Sequence, residues 1–156
     1  MIRPLLMLCA ALLAAPVSAS DLTALDRSTA RQLMADASQG QPTIVALWSV
    51  ECTHCKKNLQ LFSTLARQHK NLRLISIAAE PEGSEHARIL DRHAMPAARY
   101  AYGSDAPEAV AYAIDPNWSG ELPRSYLFDG KGGKQKHSGV LSRQQVEQET
   151  GLAPRR

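Results

Sequence analysis

Cysteine is scarce in this chain: there are three in 156 residues, at positions 9, 52 and 55. An excess of charge of one sign is also missing, with 18 Lys and Arg set against 15 Asp and Glu. That balance argues neither for a nucleic-acid partner nor for attraction to a membrane surface. There are no internal repeats, no low-complexity tracts and no composition shift that would mark an internal boundary. A chain of this size buries one respectable core and makes one domain, expected over residues 20–156. Long hydrophobic runs are lacking too. The apolar stretch from Leu5 to Ala15 is too short to be a good membrane span.

That stretch reads instead as part of an export leader. Arg3 supplies a positive n-region, Leu5 to Ala15 the apolar h-region, and Val17-Ser18-Ala19 a small-residue cleavage site. Residues 1–19 are therefore set aside as a signal peptide, and the periplasm is the expected location; an uncleaved membrane anchor is the less favoured alternative. Cys9 lies inside the h-region with no small residues just before it, which is not a lipid-attachment pattern. Taking Arg3 from the 18 basic residues leaves 17 against 15 acidic ones, with Cys52 and Cys55 as the cysteines of the mature chain. Export implies an oxidising compartment, where two lone cysteines stay reduced only if something reduces them.

What is present is an alternation of helical and extended patterns. Ser28 is placed to cap a helix over Thr29 to Ala37, which Gly40-Gln41-Pro42 ends. Thr43 to Trp48 is an almost continuous apolar run between turn signals, as expected of a strand buried on both faces. Helical spacing follows from Cys55 to about Lys70, with Leu59, Phe62 and Leu65 inward and Lys56 and Lys57 outward. Leu72 to Ala79 reads as a second apolar strand, and Ser84 as the cap of a helix running to about His93. A short extended piece over Ala98 to Tyr102 precedes a helix with Asp105 as its cap and Pro107 in its first turn. Arg124 to Asp129 and Lys134 to Val140 flank a glycine-rich hairpin turn, and Ser142 caps a last helix through Glu149. Strands alternating with helices, closed by a hairpin and a helix, make an α/β fold with a mixed sheet.

The chemistry is concentrated in Trp48-Ser-Val-Glu-Cys52-Thr-His-Cys55-Lys-Lys57. Two cysteines three apart follow a strand and open a helix. The first-turn amides of a helix lack intrahelical acceptors and carry partial positive charge, so a thiolate at Cys52 is stabilised there. A structural staple is a poor reading, because so small a loop removes little entropy from the unfolded chain. A zinc site needs four ligands; no second cysteine pair exists, and His69, His86, His93 and His137 lack the close spacing of a histidine pair. No metal is expected. A redox-active dithiol is the best reading of the pair. His86, His93 and His137 read as ordinary surface histidines, Trp48 as core packing beneath the cysteines.

These features resemble the thioredoxin superfamily, and within it the exported TlpA-like disulfide reductases, whose relatives include ResA and the cytochrome c maturation thioredoxins. The likeness rests on Ile44 to Trp48 running into Cys52-Thr-His-Cys55, on the acidic loop after the Leu74 to Ala79 strand, and on Trp118-Ser-Gly-Glu-Leu122-Pro123-Arg124-Ser-Tyr-Leu-Phe-Asp129-Gly130. It spans about residues 28–149. It implies a thioredoxin-like fold, a mixed central β-sheet flanked by helices. It also implies that Cys52 is the exposed nucleophile and Cys55 the buried resolving thiol. Pro123 would be cis and packed beside the sulfurs, with Leu122 offering its backbone to a bound substrate peptide. No cofactor is implied beyond the redox-active Cys52–Cys55 disulfide. The implied partners are protein thiols and disulfides, with a membrane thiol transporter as electron donor.

The departures from the family pattern bear on direction. The acidic or polar residue common at the place of Ala46 and the glutamate frequent at the place of Asn58 are missing, and Gln60 replaces a helix proline. Glu51 stands where Trp is frequent, Thr53-His54 replaces a proline-containing pair, and Arg124 replaces a small hydroxyl residue. An imidazole at His54 would favour the thiolate and make the disulfide more oxidising, as in the DsbA oxidases, which share a histidine before the second cysteine. Arg124 would act with His54, and Glu51 against both. Trp118 lies close enough in sequence to Pro123 to line a substrate groove. A disulfide oxidase or isomerase, and a non-catalytic peptide-binding module, are the competing readings; a binding module has no need of both cysteines.

Overall fold

The computed structural model describes residues 22–153, so the expected leader, with Cys9, lies outside the described residues. Eleven elements follow in the order β1 (Thr23–Leu25), α1 (Arg27–Ala37), β2 (Thr43–Trp48), α2 (Thr53–Gln68), β3 (Arg73–Pro81), α3 (His86–Arg92), β4 (Arg99–Tyr102), α4 (Pro107–Ile114), β5 (Arg124–Phe128), β6 (Lys134–Ser138) and α5 (Arg143–Thr150). The strands form one six-stranded sheet in the order β1-β4-β3-β2-β5-β6. β1, β4, β3 and β2 run parallel, while β5 and β6 are antiparallel additions beside β2.

β2 lies in the middle, and all of its residues are buried, as its unbroken apolar run requires. Its side chains alternate between two apolar clusters. Ile44, Ala46 and Trp48 join Leu59, Phe62 and Leu65 of α2, Leu90 of α3 and Val146 of α5. Val45 and Leu47 join Leu33 and Met34 of α1 and Val110 and Ile114 of α4. Helices therefore cover both faces, α2, α3 and α5 on one, α1 and α4 on the other.

The element boundaries differ from expectation mainly at caps. Asp26, not Ser28, caps α1: its Oδ1 accepts the Thr29 N–H at 2.7 Å, and the Ser28 hydroxyl donates to the same oxygen. That backbone donor and the Ser28 hydroxyl hold the exposed Asp26 carboxyl down to about 2. Ser84 does not cap α3, which starts two residues later with no side-chain cap. Asp105 does not cap α4, whose N-cap is Ala106. Its carboxylate instead accepts the Arg27 N–H at 3.0 Å, joining the starts of α4 and α1. Ser142 caps α5 as expected, in a reciprocal box with Gln145. β1 was not anticipated; three residues are too few to show a period.

Candidate active site

β2 delivers the chain to the C-terminal end of the parallel strands, where the loop 49–52 turns it into α2. Cys52 is the N-cap of α2, with its Sγ accepting the Cys55 N–H at 3.1 Å. A sulfur therefore takes the capping place that serine or aspartate fills elsewhere, at the positive end of the helix dipole. Cys52 and Cys55 are joined by a disulfide, with Cys52 half-buried and Cys55 only 1% exposed. Glu51, Thr53 and His54 surround Cys52 and are all exposed.

The disulfide loop is gripped from below. The Val50 N–H donates to Glu80 Oε1 at 2.6 Å, while the Lys56 ammonium donates to the Val50 carbonyl at 2.8 Å. The N–H and the carbonyl of one residue, two before Cys52, are thus both tied by charged groups. Glu80 stands near the end of β3, just past Ala78, the register partner of Trp48. Its Oε1 also meets His86 Nε2 at 3.2 Å, and the Gly83 N–H donates to His86 Nδ1 at 2.9 Å. His86 is 4% exposed and packs tilted against Trp48 at 5.5 Å. It is not the surface histidine expected from sequence. The turn over 82–85 folds it back under the loop, a contact that no local pattern announces. Nor is Lys56 simply a solvated face of the helix.

Asn58 has a structural post. It is 2% exposed, its Nδ2 donates to the Gly139 carbonyl at 3.0 Å, and its Oδ1 accepts the Leu141 N–H at 3.0 Å. One amide serves a backbone acceptor and a backbone donor, which a carboxylate cannot do. The buried side of the disulfide is otherwise apolar, with Ala46, Trp48 and Leu59 in the cluster that holds Cys55.

Leu122 and Pro123 approach from the other side. Leu47 pairs with Arg124, so Pro123 stands level with the end of β2, where the disulfide loop begins. The Leu122–Pro123 peptide bond is cis. Pro123 is buried, and both Leu122 and Cys52 pack against the same apolar cluster. Arg124 does not join them. Strand alternation sends residues 124, 126 and 128 to the α1/α4 face, and there the Arg124 guanidinium bonds Asp115 at 2.9 Å and Ser138 at 2.9 Å. Asp115 is 3% exposed and also accepts from Lys136 at 3.1 Å, the Asn117 N–H at 3.2 Å and the Tyr126 hydroxyl at 3.3 Å. Burial alone would raise its carboxyl, but the bonds from Lys136, the Asn117 N–H and Arg124 prevail and hold it at about 2. Trp118 is pinned within the same loop, its Nε1–H donating to the Glu121 carbonyl at 2.9 Å. Among the described residues, no group of three or more His, Cys, Asp or Glu is placed to hold a metal ion.

Sequence comparison finds no matching family model and no matching curated protein. Structural comparison does. The fold is similar to a thiol:disulfide interchange protein of the thioredoxin family from Chlorobium tepidum TLS, with a TM-score of 0.60, 14% identity, and 76% of this chain matched to 83% of that one. A secreted Mycobacterium tuberculosis disulfide oxidoreductase homologous to E. coli DsbE gives a TM-score of 0.59 at 13% identity, over 76% of this chain and 86% of that one. A thioredoxin-like protein in its oxidised form gives 0.53 at 15% identity, over 83% of each chain. At these identities the likeness is one of fold, and the fold is thioredoxin-like.

Proposed function

We propose that this protein is an exported thiol–disulfide oxidoreductase that reduces disulfides in other secreted proteins. The observation that carries the reading is the placement of one cysteine pair: Cys52 half-exposed as the N-cap of α2, Cys55 buried one turn on. The amides of the first helical turn stabilise a Cys52 thiolate, whereas the apolar surroundings of Cys55 favour its protonated thiol. In the dithiol form the Cys52 thiolate attacks one sulfur of a substrate disulfide. A Cys52–substrate bond forms, the substrate S–S bond breaks, and the other substrate sulfur leaves as a thiolate that takes up a proton. Cys55 then gives up its proton and attacks Cys52 Sγ, forming the Cys52–Cys55 disulfide and releasing the second substrate thiol. Two electrons pass from protein to substrate in each cycle. Another dithiol must return them, and in an oxidising compartment a membrane thiol transporter is the class of donor that fits. Leu122 would present its backbone to the substrate as an added strand. The leader-like residues 1–19 and the secreted origin of the mycobacterial neighbour support export.

Replacing Cys55 with Ser should trap substrates on Cys52 as mixed disulfides, resolved by non-reducing electrophoresis. Traps that form only when Cys52 is the residue replaced would reverse the roles. Alkylation of the thiols in intact cells reports direction: a mostly dithiol protein fits a reductase, and an almost entirely disulfide one would make it an oxidase, the direction His54 favours.

A further inference from the structure

The end of the sheet that carries the disulfide has a second feature, on the opposite face. A cavity of about 380 Å³ opens between the ends of β3 and β4, helix α4 and the loop leading to Leu122. Three aromatic side chains line it, Tyr102 of β4, Tyr112 of α4 and Trp118 of the loop, among smaller residues such as Ala79, Ala111 and Gly120. Leu122 closes one side and packs against both apolar clusters, so it links the cavity to the cluster that holds Cys55.

Three details say what kind of group belongs there. Tyr112 is 64% exposed, a large aromatic surface left open to solvent beside a cavity. The Tyr102 hydroxyl, on a residue that lines the cavity, is buried with no hydrogen-bond partner among the described residues. Two carboxylates border the cavity. Asp115 is committed to Arg124 and Lys136, whereas Glu108 is exposed and makes no ion pair among the described residues. The free charge at this cavity is therefore negative.

We propose that this cavity is a substrate subsite that takes a lysine or arginine side chain close in sequence to the reactive cysteine of the bound protein. The inference rests on the oxidoreductase reading and on Leu122 as the backbone platform. An aliphatic stem covers the ring faces of Tyr112 and Trp118, and the cationic head meets the same faces by cation–π attraction. Its N–H donors pair with the Glu108 carboxylate. An acidic side chain at the same place meets Glu108 and is repelled, so the cavity discriminates by charge.

The test uses the whole protein, reduced and freed of reductant, and three synthetic disulfide peptides that differ only in Lys, norleucine or Glu beside the cysteine. Single-turnover rate constants for thiol release should favour the Lys peptide over the Glu peptide by about tenfold. Glu108→Gln and Tyr112→Ala, both at exposed positions, should each shrink that ratio. Equal rates for the three peptides in the unaltered protein, or a ratio that survives both substitutions, would overturn the subsite while leaving the oxidoreductase reading standing. Failure of the intact dithiol to reduce any of the peptides would overturn both.

Discussion

Asp115→Asn tests whether charge holds the loop that delivers Leu122 and Pro123. Asp115 is nearly inaccessible and bound by Arg124, Lys136, the Tyr126 hydroxyl and the Asn117 N–H. Its carboxyl is held at about 2 against an ordinary 3.8, and at about 1.36 kcal/mol per pH unit that depression corresponds to roughly 2–3 kcal/mol of stability. The sign follows from the direction. A carboxyl with a folded-state pKa below its unfolded value stabilises fully above about pH 4, and loses that contribution as pH falls through about 2. Arg124 keeps Glu121 at 3.2 Å, and Lys136 is 39% exposed and can turn to water, so the loss stays below the roughly 3–5 kcal/mol of a fully stranded buried charge. The variant should therefore be about 2–3 kcal/mol less stable than the parent at pH 7, with the gap closing towards pH 2. Urea unfolding of the oxidised protein at pH 7, 4 and 2.5 measures it. An unchanged midpoint at pH 7, or a gap that does not depend on pH, would refute the electrostatic account of this loop.

Asn58 and His54 give two further tests. Asn58→Ala removes the partner of both the Gly139 carbonyl and the Leu141 N–H, and should cost about 2–4 kcal/mol in urea unfolding. Asn58→Asp should lose stability as pH rises, because only a protonated carboxyl can donate to Gly139; a pH-independent loss would contradict that geometry. His54→Pro removes the exposed imidazole beside the sulfurs and should lower the reduction potential, by roughly 30 mV for a tenfold change in the exchange equilibrium. An unchanged equilibrium with glutathione would leave His54 without a redox role.

How far the fold could be read in the sequence depended on the length of each pattern. β2 and α2 announce themselves because a six-residue apolar run bounded by turn residues suits a buried strand, and a four-turn helical repeat suits little but an amphipathic helix. Caps were less legible. Asp26 and Ser28 are both good capping residues two apart, and the helix takes the earlier one because Ser28 can then donate to the cap itself. Asp105 is a plausible cap by type, yet Arg27, far away in sequence, offers it a backbone donor that α4 does not. Such choices are made by tertiary neighbours, which a local pattern does not contain.

The same division runs through the site. Cys52 and Cys55 were legible because motif, strand and helix agreed within ten residues. Glu80 and His86 were not, since their importance lies in meeting Val50 and Trp48 across the sheet. Arg124 is different again. One residue from Pro123, it looked like an active-site cation, but the signal against it was present in the strand itself. Arg124, Tyr126 and Phe128 alternate with Ser125 and Leu127, and Leu127 is the one that shares a cluster with Cys55. Period-two alternation therefore puts Arg124 on the face opposite Leu127, and the packing of Leu127 with Cys55 makes that the far face. The consequence is a separation of charge. Cys52 has the helix start, the nearby Lys56 and the exposed His54 around it, while Arg124 is taken up in holding the loop that leads to Leu122 and Pro123. A substitution at Arg124 should then be read first in stability and loop placement, and one at His54 first in potential.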